Sequence, residues 1–420
     1  MIHALVISMP IIVCAVFAML MLLDLRGRRE RLVLATFFIV TTLLYLGHGI
    51  FFSKILHLIP LSDTVYSFCN LAVYPLYYLY LESITSDDTR RFRILRRIAL
   101  LPSIASSAII GMLYLLMNDE ETVQFIHTYL YGVKGAQLEG MAWWQAVAHT
   151  VAKSIFALQI IPVMHFGSRS IIKFNQRVEA SFADTDGRSL HRQRVLLWIF
   201  LVTSVVSFVC NIIGRQCFVS SAWLLSVPSI LFSALLFCVG REGFMLNFSI
   251  KEIIEAEQEE TPSEEEENKF QTKTEATSER FISTTEQNEN AQTTETSKTS
   301  AKDRKMDSIV QRIVDEQLYL QPDLQLNGLA TMLCTNRTYI SEAIRKAKDM
   351  TFYEFINDLR IQHAQKLMEE HPEMAIYEIY TLSGYSNYPT FRRNYIRFTK
   401  RSKSKVKGRE SKVKGRRSKA

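Results

Sequence analysis

Two stretches near the C-terminus decide how this chain is read. Leu329-Ala330-Thr331-Met332-Leu333-Cys334-Thr335-Asn336-Arg337-Thr338-Tyr339-Ile340-Ser341-Glu342-Ala343-Ile344 is followed by Ile379-Tyr380-Thr381-Leu382-Ser383-Gly384-Tyr385-Ser386-Asn387-Tyr388-Pro389-Thr390-Phe391-Arg392-Arg393-Asn394-Tyr395. In the first, Leu329, Ala330 and Leu333 form the inner face of a short helix, with Asn327 placed as its N-cap. Thr335-Asn336-Arg337 make a turn, and Ile340 and Ile344 face inward on a second helix. The second stretch repeats the plan, with Ile379 inward, Gly384 at the turn, and Phe391 and Tyr395 four apart. Leu329 matches Ile379 at an offset of 50, whereas Ile340 matches Phe391 at 51, so the second turn is one residue longer. One helical pair is a weak signal. Two in register form a strong one.

The surrounding residues complete an all-helical unit. Met306, Ile309, Val310, Ile313 and Val314 lie at i, i+3, i+4, i+7 and i+8, a single apolar stripe that ends before Pro322. Between the repeats, Phe352, Phe355, Ile356, Leu359, Ala364 and Leu367 mark a long amphipathic helix that stops at Pro372. Short helix, tight turn and a helix with a polar, basic outer face is the helix-turn-helix plan, whose second helix enters the DNA major groove.

Residues from about Met306 to Lys400 resemble the AraC/XylS family of bacterial transcription regulators. The resemblance rests on Leu329-Ala330 with Leu333, on Asn336 to Ser341, on Leu359-Arg360-Ile361 with Ala364, and on Gly384-Tyr385-Ser386 with Phe391 and Arg393. It implies two recognition helices in successive major grooves of double-stranded DNA. Asn336, Arg337, Thr338, Tyr339, Ser341 and Arg345 would serve the first. Asn387, Tyr388, Thr390, Arg392 and Arg393 would serve the second. The chemistry fits, because Arg grips guanine and Asn grips adenine with paired hydrogen bonds. Lys346, Lys348, Arg397 and Lys400 suit phosphates, which give affinity without reading sequence. For any one of these charges the alternative is a solvated surface residue. The chain departs from the family in three ways. Tyr380 replaces a small residue at a close crossing, which would splay the second unit or repack it around the ring. The usual Gly-Pro and closing helix are missing, and a basic tail repeats Ser-Lys-Val-Lys-Gly-Arg at 404–409 and 411–416.

Working toward the N-terminus, residues 255–301 are rich in Glu, Thr, Ser and Gln, a composition too polar to fold, and are expected to be a disordered linker. By square-root scaling, 241–305 would span roughly 45 Å. Before it lie seven apolar runs long enough to cross a bilayer. They are Ile2–Leu23, Leu32–Phe52, Val65–Leu81, Ile98–Met117, Trp144–Phe166, Val195–Ile213 and Ala222–Val239. A cleavable signal peptide is the rival reading of the first and fits it poorly, since its arginines follow the apolar run. Loops one, three and five hold clusters of Arg and Lys, exemplified by Arg90, Arg91, Arg93, Arg96 and Arg97, whereas the alternate loops are poor in base. That bias puts the N-terminus outside and the C-terminus in the cytoplasm, where DNA is. The formal net charge of +7 is therefore an average over blocks of opposite character.

The expected fold is all-α: a seven-helix transmembrane bundle (1–240), a disordered acidic linker (241–305), a double helix-turn-helix domain (306–400) and a basic tail (401–420). The partners expected are double-stranded DNA, a lipid bilayer, a homo-oligomer through the membrane domain, and an unidentified ligand. With the resemblance, this places the chain in the bacterial inner membrane. His149 and Lys153 share one helix face as a membrane-domain ligand or counter-ion site; alternatively both snorkel to the interface beside Trp143 and Trp144. Tyr74, Tyr77, Tyr78 and Tyr80 read as helix packing. The six cysteines lack zinc or disulfide-framework spacing, although Cys210 and Cys217 are close enough in sequence to pair. No metal-ligand cluster, phosphate-cradling glycine loop, nucleophile elbow or phosphoacceptor histidine pattern is present, so neither an enzyme nor a cofactor is expected. The competing reading is a receptor or transporter whose helical tail binds a protein. It predicts apolar anchors where Arg337, Arg345 and Arg393 stand.

Overall fold

The computed structural model describes residues 2–24, 29–133, 137–185, 188–213, 222–246, 249–250, 253–254 and 306–401. Residues 255–305 of the expected acidic linker, 402–420 of the basic tail, and Cys217 lie outside the described residues, whereas 241–245, the start of that linker as expected, are helical. The described residues are helical with no strand, and they divide into two units: Met1–Asn175 with Leu190–Ile250, and Gln176–Ser189 with Lys251–Ala420.

The first unit is built from α1 (Ile2–Leu23), α2 (Arg29–Phe52), α3 (Ile59–Thr85), α4 (Thr89–Ala99), α5 (Leu101–Leu116), α6 (Asp119–Phe125), α7 (Gly140–Ser181), α8 (His191–Ile213) and α9 (Ala222–Met245), with α7 passing into the second unit at Gln176. The apolar runs of the sequence reappear as these helices because nothing in them breaks helical periodicity except isolated prolines. Pro10 shows how such a break is mended. It cannot donate to the Val6 carbonyl one turn earlier, and Ser229 Oγ of α9 donates to that oxygen instead, at 2.5 Å.

Among the described residues, six helices are long and apolar enough to cross a membrane, and α3, which holds the predicted third span, is not one of them. The reason is its composition, since its tyrosines with Asp63, Asn70 and Glu82 lower its hydropathy, and its buried position accommodates them. Every residue from Leu71 to Ile84 of α3 is buried, so its tyrosines and Glu82 face neighbouring helices rather than the surroundings. Tyr74 packs edge-on to Phe156 of α7 at 5.1 Å and to Phe200 of α8 at 4.8 Å, and its hydroxyl bonds Ser204 Oγ. The tyrosine stretch is thus packing. The six apolar helices behave oppositely: only 22–39% of each most apolar window is buried.

His149 and Lys153 share a face of α7 but serve different contacts. His149 is 7% exposed, and its Nε2 lies 2.9 Å from Asp63 Oδ2 of α3, outside hydrogen-bond geometry. Tyr114 donates to the same carboxylate oxygen at 2.9 Å. Lys153 Nζ sits 5.1 Å from the centre of the Tyr129 ring and 3.4 Å from its hydroxyl.

The second unit contains α10 (306–315), α11 (Leu326–Met332), α12 (Arg337–Lys348), α13 (Phe352–Glu370), α14 (Ile376–Leu382) and α15 (388–401). The stripe of α10 is buried as its spacing requires, with Ile313 at 0%. One cluster joins α10, α11, α12 and the start of α13. A smaller one joins the end of α13 to α14 and α15. Sequence distance hides one member of the first cluster. Ala183 is fully buried in it, its N–H donates to the Leu324 carbonyl at 3.0 Å, and Phe182 forms an antiparallel bridge with Gln325. Asn357 Nδ2 closes the clasp on the Ala183 carbonyl at 2.8 Å.

Candidate nucleic-acid interface

The two repeats share their turn geometry bond for bond. Cys334 N–H donates to Thr331 O at 3.1 Å and Thr335 N–H to Ala330 O at 2.9 Å; fifty residues on, Gly384 donates to Thr381 O at 3.0 Å and Tyr385 to Tyr380 O at 3.0 Å. Cys334 (φ 50) and Gly384 (φ 81) both occupy the left-handed region that such a helix ending requires. The offset then becomes 51. Asn336 Oδ1 accepts from Tyr339 N–H at 2.8 Å and Asn387 Oδ1 from Thr390 N–H at 2.9 Å, so each caps a following helix. The extra residue falls between Tyr385 and Asn387, after the first turn and before the second cap.

Residues 329–409 match the helix-turn-helix domain family model. This is a helix-turn-helix domain of the AraC type. No curated protein and no solved structure gives a significant match to the chain.

Within the helix-turn-helix domain, α12 buries Ile340, Ala343 and Ile344 completely and exposes Arg337, Thr338, Arg345, Lys346 and Lys348. Tyr339 and Ser341 are half-buried, and Tyr339 packs against the first cluster. On α15, Tyr388, Arg392 and Arg393 are exposed and Asn387 is half-buried. Thr390, by contrast, is 1% exposed, and its hydroxyl accepts from Arg393 Nη2 at 3.4 Å. Its burial suits it to holding Arg393 rather than to meeting a base. From Tyr388 to Arg401, α15 carries no acidic residue. Arg397 spends part of its charge inside the domain, donating to Glu354 Oε1 at 2.9 Å and lying 5.6 Å over the Tyr353 ring, whereas Lys400 is exposed.

Asn327 is not the cap of α11. The helix begins at Leu326 with Gln325 as N-cap, which puts Asn327 inside the first turn, because the Phe182–Gln325 bridge holds Gln325 extended and starts the helix early. Tyr380 repacks the second repeat instead of splaying it. Its ring lies 5.4 Å from Tyr377, 6.1 Å from Tyr388 and 6.1 Å from Phe391.

Several residues that shape the interface carry no surface pattern. Arg360 is 1% exposed, and it donates from Nε to Tyr319 O at 2.7 Å and from Nη2 to Gln321 O at 2.5 Å, with its guanidinium 5.4 Å over Tyr385. Burial pulls its pKa below the ordinary arginine value. Asn357 Oδ1 accepts from Asn394 Nδ2 at 2.9 Å, and Tyr353 OH donates to Asn394 Oδ1 at 2.6 Å, fastening α13 to α15. Burial raises the Tyr353 pKa, so the phenol stays a proton donor. Their one trace in the sequence is a polar residue recurring on the apolar stripe of α13.

Asn336→Ala and Asn387→Ala are each expected to cost about 0.5–2 kcal/mol through loss of the cap. Faster amide exchange in the first turn of α12 or α15 would register it, and Asp at either position should restore protection. Unchanged exchange with weakened DNA binding would instead make the asparagines base readers.

Proposed function

We propose that the chain is a membrane-anchored transcription regulator whose seven helices cross the bilayer and whose C-terminal domain reads promoter DNA in the cytoplasm. The duplicated turn-and-cap geometry carries this reading. It gives two basic helices the same local frame, as two successive major grooves about 34 Å apart demand. In this reading Arg337, Thr338, Ser341, Arg345, Tyr388, Arg392 and Arg393 meet base edges, and Lys346, Lys348 and Lys400 meet phosphates. Asn336, Asn387, Tyr339 and Thr390 hold the recognition helices in shape. Membrane anchoring draws on the six apolar helices and on the large hydrophobic side chains they expose, among them Leu5, Ile12, Leu115, Leu158 and Val227. The seventh span is α3, whose polar character suits the middle of a bundle.

The test uses the whole chain in lipid nanodiscs, because Ala183 belongs to the core of the second unit and an excised C-terminal fragment would lack it. Duplexes captured from genomic DNA are titrated against shuffled ones at several salt concentrations. Arg337→Ala and Arg393→Ala should each weaken the captured duplex by about 1–3 kcal/mol and the shuffled duplex much less. Lys348→Ala should weaken both alike and lower the salt slope by about one. Equal binding to both duplexes by the unaltered chain would refute sequence-specific regulation.

A further inference from the structure

The first unit holds a cavity of about 170 Å³. It has room for on the order of ten water-sized atoms, far beyond the small voids of a packed core. Six helices line it: α1, α2, α3, α7, α8 and α9. The lining is uneven along them. Lining residues on α1 (Val6 to Pro10), α3 (Tyr66 to Tyr74) and α9 (Leu225 to Leu236) come mainly from the first part of each helix, while α2 (Thr41 to Phe52) and α8 (Phe200 to Cys210) contribute their later parts. In an up-and-down arrangement these parts lie at one end. It is the end opposite the Arg-rich loops that precede α2 and α8.

The chemistry of the wall is specific. Among the described residues it includes no Asp, Glu, Lys or Arg, so a carboxylate, phosphate or ammonium brought in would lose its hydration with no counter-charge. Most of the wall is apolar, as Val73, Phe156, Phe200, Phe232 and Leu235 show. Polar groups are most numerous on α2 and α3, with Thr203 and Ser207 of α8 and Ser229 of α9 also on the wall. The His48 ring stands edge-on to Tyr66 at 4.9 Å, with Tyr45 at 5.8 Å, and Asn70 lies one turn of α3 further on. The Tyr45 hydroxyl and the Asn70 amide have no hydrogen-bond partner among the described residues, and both line the cavity. Tyr74 is different, since its hydroxyl is already bonded to Ser204. Hydrogen-bonding groups left open in an apolar chamber are costly unless a guest or water meets them.

We propose that this chamber is the sensory site, and that it takes an uncharged lipophilic molecule with a hydrogen-bonding group at one end. The polar end meets Tyr45 and Asn70, and an apolar body of roughly ten to fifteen heavy atoms lies against Val73, Phe156 and Phe200. The inference rests on the membrane-anchored reading and adds the class of ligand and the place it binds. It also moves the ligand site away from His149 and Lys153, neither of which lines the chamber.

The experiment is photolabelling of the whole chain in nanodiscs with a diazirine derivative of dodecanol, followed by peptide mapping. Matched diazirine derivatives of dodecane, dodecanoate and dodecyltrimethylammonium serve as comparisons. Dodecanol label is expected on the chamber segments of α2, α3 and α9, competed by unlabelled dodecanol and about ten-fold stronger than with either charged probe. Val73→Trp and, independently, Leu225→Phe should lower chamber labelling about ten-fold while leaving label at the outward-facing Leu43 and Ile39 unchanged, which also reports that the variant is folded and inserted. Asn70→Leu should reduce the alcohol's chamber label several-fold and leave the alkane's unaltered. Labelling confined to outward-facing residues, or equal chamber labelling by the charged probes, overturns the proposal. No step involves DNA, so failure here with specific DNA binding intact removes the chamber alone, and absence of label even at Leu43 counts against membrane insertion itself.

Discussion

Replacing Arg360 with leucine is expected to destabilise the second unit by about 3–5 kcal/mol, the loss typical of removing one member of a buried, charge-assisted network. The leucine leaves the buried Tyr319 carbonyl and the partly buried Gln321 carbonyl without their guanidinium donors. Each buried acceptor so abandoned costs about 1–3 kcal/mol. The smaller side chain also withdraws packing from the Tyr385 ring. Lysine should rescue little, since a single ammonium lacks the planar fork that reaches two carbonyls at once. The four tryptophans, Trp143, Trp144, Trp198 and Trp223, all belong to the first unit, so their fluorescence would miss the event. Amide exchange in α12 and α15 of the whole chain is the suitable readout, and at a factor of ten per 1.4 kcal/mol it should accelerate roughly a hundred- to several-thousand-fold. Unaltered exchange would show that Arg360 is not the clasp described.

Gly384→Ala should destabilise by about 2–4 kcal/mol, mostly in the second repeat. A Cβ there would lie 2.6 Å from the Leu320 oxygen, 2.9 Å from its carbonyl carbon and 3.1 Å from Arg360 Nε. Two of these neighbours are backbone, which yields little, so overpacking adds to the conformational cost of φ +81°. The equivalent residue of the first repeat should respond with the opposite sign. Cys334 adopts φ 50° with a side chain, is exposed, and would shed about 1 kcal/mol of left-handed strain on becoming glycine. Thermal or denaturant titrations followed by exchange at α14 and α15 would distinguish the two. Equal responses at 384 and 334 would contradict the assignment of the backbone contact.

These substitutions mark where reading a linear chain succeeds and where it stops. Ile340 and Ile344 announce their burial by spacing, and both are fully buried. Apolar runs announce helices, and α1 begins and ends where its run does. Periodicity fails for Arg360 and Asn357, since a polar residue on an apolar stripe reads as noise until its partners, the 319–321 turn and Asn394, are folded beside it. It fails again for Thr390, whose polarity promises exposure but whose position in the first turn of α15 places it beneath Arg393. Ala183 was beyond reach altogether: a small residue in a basic loop gives no sign that it completes a cluster more than a hundred positions away.

By itself the sequence determined the all-helical class, the duplicated helix-turn-helix with its one-residue difference in turn length, and six of the seven helices it marked as apolar enough to cross a membrane, because each is a local matter of period, cap and turn chemistry. Only the tertiary structure decided which polar groups are spent internally, which line an apolar chamber, and which loop completes the second unit's core. Those outcomes depend on burial and on hydrogen bonds between residues far apart in the chain, and neither is a property of any one segment.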